Sequence, residues 1–318
     1  MANEQTMNRV GKWVNLLGFW GLHLAALTAV FTGVSWKGLL LCAFLYAIRM
    51  FGVTAGYHRY FSHRTYKMGR VMQFLMAVLA QSSGQKGVLW WSANHRHHHK
   101  YSDQEEDIHS PVRKGFWYSH VGWILSGKHE RTRVELVKDL AKYPELLWLD
   151  KNAIAFTWLL GLACWLVGGW EGFVVGFVWS TVLLWHGTFT INSLSHVFGS
   201  RRFETTDTSK NNWLLALITL GEGWHNNHHY FAASARQGFR WWEVDFTYYA
   251  LVALSRVGLV WDLRQPPKHL VDGTVHPRVA ALERKRVKDW VEAVRPPGFE
   301  LDPDGGAPVA EADAKAAA

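Results

Sequence analysis

The sequence predicts an all-α integral membrane protein: four transmembrane helices in two hairpins beneath a helical cytosolic cap. Three observations carry this. Four long stretches are free of charge or nearly so, the Lys and Arg residues gather on the connections between hairpins, and the histidines cluster where the second and fourth stretches end. Hydrophobic residues make up 49% of the 318, with 19 Trp and 17 Phe, a mixture that suits aromatic belts at a bilayer interface.

The first stretch, residues 14–34, is 21 residues without a Lys, Arg, Asp or Glu. A hydrocarbon core of about 30 Å takes roughly 20 helical residues, so this is read as a membrane anchor and not a cleaved signal. The second, 38–56, is apolar apart from Arg49, and 152–170 and 172–196 carry no charge. The short connections 35–37 and 168–172 hold one Lys and one Glu between them. Arg9, Lys12, the long middle section and the C-terminal third hold the basic residues. Basic segments stay on the cytoplasmic side, so both termini are expected inside. One membrane domain then covers 1–295, with the cap from 57–151 and 197–295. Apolar runs at 71–85 and 211–220 are too short to span and read as interfacial or cap helices. Residues 277–294 read as a charged amphipathic helix, and the Pro-, Ala- and acid-rich stretch from 296 to 318 as a flexible tail.

The second and fourth helices overrun the bilayer. If helix continues from 38 to 63 it is about 39 Å long, and from 172 to 200 about 43 Å, at 1.5 Å per residue. Both run from outside to inside, so the surplus turns emerge in the cytoplasm, carrying His58 and His63 on one and Asn192 and His196 on the other.

The 17 histidines include three clusters: "HRYFSH" (His58, His63), "HRHHH" (His95, His97, His98, His99) and "HNNHH" (His225, His228, His229), with His196 alone. Two clusters share the spacing H-x-x-H-H. Residues i, i+3 and i+4 occupy one helical face, so His95, His98 and His99 point together, as do His225, His228 and His229. His97 points elsewhere. The five-residue spacing of His58 and His63 separates them by roughly 140° on an ideal helix, so that pair straddles a helix end or a distortion. Nine candidate imidazoles exceed one metal's shell and suit two. Imidazole alone does not choose between iron, zinc, copper and nickel. Asn192, one turn before His196, is placed to hold a metal-bound water. The acids Asp103, Glu105, Glu106 and Asp107 are candidates to orient imidazoles, with Glu105 the one best read as solvated. Cys42 and Cys164 lie in apolar runs, and no CxxC, G-x-G-x-x-G or HPGG segment is present. Neither a disulfide framework nor a built-in redox cofactor module is expected.

The segments "GYHRYFSHRTYK", "NHRHHHKYSDQEEDIHSP", "NSLSHVFG" and "GEGWHNNHHYF" together resemble the histidine boxes of membrane fatty acyl-CoA desaturases of the Δ9 (stearoyl-CoA) type. The resemblance covers roughly residues 15–250. It implies a non-haem di-iron centre at the junction of membrane helices and cap, held by His58, His63, His95, His98, His99, His196, His225, His228 and His229, with Asn192 acting through water. It also implies a bent acyl tunnel whose lining matches Gln85, Trp91 and Thr188, with Lys128 as a phosphate contact. There the family often has a further basic residue where this chain has Ser126 or Gly127.

The activity so implied is O2-dependent insertion of a cis double bond into a long-chain acyl-CoA. An acyl-lipid desaturase, or a di-iron hydroxylase or ketolase, is the alternative. Electrons must come from a separate ferredoxin-, rubredoxin- or cytochrome-type donor with its reductase. A net charge of +8 suits coenzyme A, an acidic electron carrier and anionic membrane lipid, and no nucleic acid partner is expected. A transporter would place its polar sites near the midplane, and a bis-histidine haem protein would place its ligands inside the spans. Neither matches clusters at the cytoplasmic ends.

Overall fold

The computed structural model describes residues 2–272. The helix expected over 277–294, His276 and the tail from 296 lie outside the described residues. Helix α1, Ala2–Leu27, starts well before the first apolar stretch. It breaks at Thr28, whose hydroxyl donates to the Ala25 carbonyl, and resumes over Ala29–Thr32. Gly33, at φ 76°, turns the chain. Ser35 then caps α2, Trp36–Phe51, by accepting the Gly38 N–H.

Helix α2 passes without a break into a π-helix, Gly52–Ser62. A two-residue antiparallel pair, β1 (Lys67–Met68) with β2 (Val260–Trp261), ties this exit to a segment late in the described chain. Helices α3, Arg70–Gln81, and α4, Val88–Tyr101, follow. The Asp150 carboxylate accepts the Leu89 and Trp90 N–H groups at 2.8 and 3.0 Å, filling the donors that the first turn of α4 leaves open. Helix α5, Pro144–Lys151, leads into α6, Ala153–Glu171.

By length and composition three helical runs can cross a membrane: Gln5–Thr32, Trp36–Ser62 and Ala153–Val197. The sequence suggested four. The third run of 45 residues reverses at Gly169, where φ 59° and ψ −151° leave the helical region. Beyond it a π-helical segment, Gly172–Trp179, and α7, Ser180–Val197, travel back along α6. A Cβ at Gly161 would lie 2.9 Å from the Phe177 ring, and one at Gly172 would lie 2.4 Å from the Cys164 carbonyl oxygen. The arms therefore touch through glycine. Leu17, Leu24, Val30 and Val167 are 64–87% exposed on the outer faces, an apolar surface that lipid covers without cost.

Two buried arginines brace these elements. Arg49 has no carboxylate partner among the described residues. Its guanidinium donates to the Leu45 and Ser82 carbonyls and to the hydroxyls of Thr181 and Ser180. Arg59, wholly buried in the π-helix, is paired with Glu222 at 3.0 Å and Asp245 at 2.9 Å. It fastens the end of that helix to the segment before the third histidine cluster.

Candidate metal centre

The π-helix solves the spacing of His58 and His63. With i→i+5 winding, the His63 N–H donates to the His58 carbonyl itself, at 3.2 Å, and the two rings come within 4.9 Å. Helix α4 presents His95, His98 and His99. The last turn of α7 presents His196, and a short helix α9, His225–Tyr230, presents His225, His228 and His229. Before it comes the short helix α8, Trp213–Ile218. Two asparagines in "HNNHH" hold α9. The Asn226 carbonyl oxygen accepts the Arg202 and Phe203 N–H groups, and the Asn227 amide donates to Gln237 O and Glu243.

The nine imidazoles divide into five and four. His58, His63, His95, His99 and His228 converge with ligand atoms within 4.8 Å of one another, and so do His98, His196, His225 and His229. Within the first group the Nε2 atom of His228 lies 2.9 Å from that of His58 and 3.0 Å from that of His99. His63 and His95 approach at 2.8 Å. In the second group His196 and His225 meet at 3.1 Å. Asn192 lies one turn from His196 and lines the cavity described below.

Carboxylates behind the rings set their tautomers. Asp107 faces Nδ1 of His98 at 3.0 Å, Asp103 that of His196 at 3.2 Å, and Asp207 that of His229 at 2.7 Å. Glu222 contacts Nδ1 of His58. Each such acceptor keeps the proton on Nδ1 and turns the Nε2 lone pair inward, the arrangement that orients metal-binding imidazoles. Burial raises the Asp107 carboxyl, but the His98 ring outweighs it and the group stays well below the usual carboxylate range. Asp207 behaves likewise beside His229. Burial, and then neighbouring imidazoles, hold His63, His95, His99, His225 and His228 well below the usual imidazole range. They are neutral at pH 7, the state a ligand needs. The Nε2 of His229 and the Nδ1 atoms of His225 and His228 are buried with no protein partner. The nitrogens of each set gather within 4.8 Å of one another, so the residues present fit two metal ions.

Asp103 and Asp107 are thus the useful members of the acidic run, while Glu105 and Glu106 are exposed. Asp207 and Glu222 were not legible as partners, because an isolated acid has no spacing signature. His97 turns to the Glu106 carbonyl at 2.9 Å. His109 is buried against His98, ring centroids 4.3 Å apart, and groups with His98 and Asp107. His23 and His186, both on runs long and apolar enough to span, are hydrogen-bonded. His23 contacts the Phe19 carbonyl at 2.7 Å and His186 at 3.0 Å, His186 contacts His120 at 3.0 Å, and His120 reaches Ser193 at 3.0 Å. This chain straps α1 to α7 and the cap.

A cavity of about 420 Å³ opens beside the first histidine group, with His95, Trp91 and Asn192 on its wall. Gln85 links two other expected residues, donating to the Thr188 hydroxyl at 3.0 Å and accepting the Trp91 indole N–H at 3.2 Å. All three line the cavity. Lys128 is exposed and is not on the lining. Two lysines do line it: Lys86, which pairs with Glu130 at 2.6 Å, and the exposed Lys151.

Long apolar helices, a doubled imidazole cluster able to hold metal and an apolar cavity at its edge are what a membrane oxidoreductase with a metal site presents. Residues 34–260 match the fatty acid desaturase family, and the chain belongs to that family of oxidoreductases. It is 38% identical over 250 residues to an acyl-CoA 5-desaturase of Anemone leveillei, covering 77% of each chain. Against an sn-1 stearoyl-lipid 9-desaturase of Synechocystis it is 35% identical over 271 residues, covering 84% of this chain and 85% of the other. An sn-1 stearoyl-lipid 9-desaturase of Anabaena variabilis is 37% identical over 259 residues, covering 80% and 95%.

Proposed function

We propose that this chain is an O2-dependent Δ9 desaturase of long-chain acyl-CoA, with two irons held by the five- and four-histidine groups. The observation that carries this is the split of nine imidazoles into two convergent sets beside one cavity. When bound, the irons supply the oxidant that an unpolarised methylene requires. The chain's own residues do the rest. Trp91 and the Gln85–Thr188 pair position the acyl chain, the apolar wall excludes water, and the carboxylates keep each imidazole oriented. Both arms of the doubled run cross the bilayer, giving four spans with the termini and the centre on the cytoplasmic side, where Lys and Arg collect. A separate ferredoxin-, rubredoxin- or cytochrome-type protein delivers electrons.

A second reading, an acyl-lipid substrate, is favoured by the likeness to the two sn-1 stearoyl-lipid 9-desaturases, at 35% and 37% identity. Expression in a host lacking Δ9 unsaturation, with fatty-acid analysis of the acyl-CoA and lipid pools after a short label, tests both. New Δ9 chains appearing first in the acyl-CoA pool are expected. Appearance first in intact lipid selects the second reading, and hydroxylated chains or no new product in a host with active donors overturns the desaturase assignment.

Outer partners carry their own prediction. Asp207→Asn leaves the His229 ring in place but removes the negative charge that faces its Nδ1 proton. Iron affinity falls by about 10–100-fold, read as iron retained after dialysis against a weak chelator, while Glu105→Gln leaves it unchanged.

A further inference from the structure

The two connections farthest from the metal centre carry one charge each: Lys37 in 33–37 and Glu171 in 168–172. The run Trp36–Ser62 has 27 residues, about 40 Å of helix, which exceeds a hydrocarbon core of about 30 Å. It starts beside Lys37 and its far end carries His58, so both connections sit at headgroup level on the face opposite the histidines. No ion pair joins Lys37 to Glu171 among the described residues. The Lys37 ammonium lies over the Trp36 ring at 5.8 Å, and the Glu171 carboxylate accepts the Ser35 N–H at 2.5 Å.

An open hollow lies between the end of the first run and the reversal at Gly169. Its polar lining is Thr28, Thr32 and Glu171, and its aromatic wall is Phe31, Trp170 and Phe173. The polar groups all present lone pairs. The Thr28 hydroxyl donates its proton to the Ala25 carbonyl at 2.6 Å, and the Thr32 hydroxyl to the Gly33 carbonyl at 3.2 Å. The Glu171 carboxylate has more lone pairs than the Ser35 N–H uses. No Lys, Arg or His lines the hollow. Its two sides are fastened together, because the Trp179 indole donates to the Ala26 carbonyl at 2.9 Å and Ala29 packs with Val174 and Val175.

We infer that this hollow binds the headgroup of a lipid bearing a primary ammonium and a phosphate, a phosphatidylethanolamine, at the membrane face opposite the metal centre. A primary ammonium brings three N–H donors to the Glu171 carboxylate and the two threonine hydroxyls, and the aromatic faces attract its charge. A quaternary ammonium has no N–H and leaves those acceptors unpaired, which weakens binding. An anionic headgroup is repelled by Glu171. Lys37, exposed on the neighbouring connection, is the cation that meets the phosphate. The two charges of these connections thus match the two charges of one zwitterionic headgroup. The site is separate from the metal centre and independent of the desaturase chemistry proposed above.

The test is native mass spectrometry of the full chain released from detergent micelles, titrated with dioleoyl phosphatidylethanolamine or dioleoyl phosphatidylcholine. Wild type is expected to bind the ethanolamine lipid about tenfold more tightly, which is what one charge-assisted hydrogen bond supplies. Glu171→Gln removes the charge but keeps a side-chain carbonyl for the Ser35 N–H, so the hairpin contact survives while the preference is lost. Lys37→Gln weakens both lipids and leaves their ratio unchanged, since both carry the phosphate. Equal affinity for the two lipids in wild type, or a preference that persists in Glu171→Gln, overturns the site. Soluble phosphoethanolamine binding as tightly as the lipid would assign the hollow to a free amine and overturn the lipid.

Discussion

Replacing His196 by alanine is expected to abolish double-bond formation. Product should fall more than about 1,000-fold, well beyond the 10–100-fold that loss of an outer partner costs. His196 is the only one of the nine imidazoles that comes from α7, and its Nε2 meets that of His225 at 3.1 Å. The second group then has three rings left, and Asp103, buried against the missing ring, loses the group that offsets its charge. Iron content of the purified variant should fall from about two per chain to about one, since the five-histidine group shares no ring with the other. His97→Ala is the internal control. It removes a ring that faces the Glu106 carbonyl and should retain near-normal iron and activity.

Arg59→Met carries the largest stability effect. The guanidinium is fully buried and serves two carboxylates, Glu222 and Asp245. The Asp245 carboxylate in turn caps its own helix, α10, Phe246–Arg256, by accepting the Tyr248 N–H at 3.0 Å. Removing one partner of a buried pair leaves uncompensated charge and costs about 3–5 kcal/mol. For a chain of this size that is a fall in Tm of at least about 6 °C, read by thermal unfolding in detergent. Arg59→Lys keeps the charge but loses the fork that spans both acids, and should fall between the two. A Tm unchanged in Arg59→Met would show that the two acids find other partners.

The metal centre was more legible than the fold around it, for a physical reason. Imidazoles at i, i+3 and i+4 must share a face on any helix, so "HRHHH" and "HNNHH" announce themselves. His58 and His63 gave half an answer. Their spacing demanded a helix end or a distortion, but nothing in "GYHRYFSH" says that both occur, a π-helix over Gly52–Ser62 with His63 at its cap. Asp207 and Glu222 act across more than one loop, and sequence offers no period for such a pair. The reversal at Gly169 followed from composition, whereas the length of α1, from Ala2, did not, because helix continues through polar residues that hydropathy does not count. Gln85, Trp91 and Thr188 came from family resemblance and meet in one hydrogen-bonded set.

The most direct measurement is the iron-to-protein ratio of the full chain, purified from iron-replete cells and exchanged into chelator-free buffer. The account predicts about two irons per chain, falling to about one in His196→Ala. A wild-type ratio of one or below after reloading with ferrous iron, with the nine histidines intact, would contradict it.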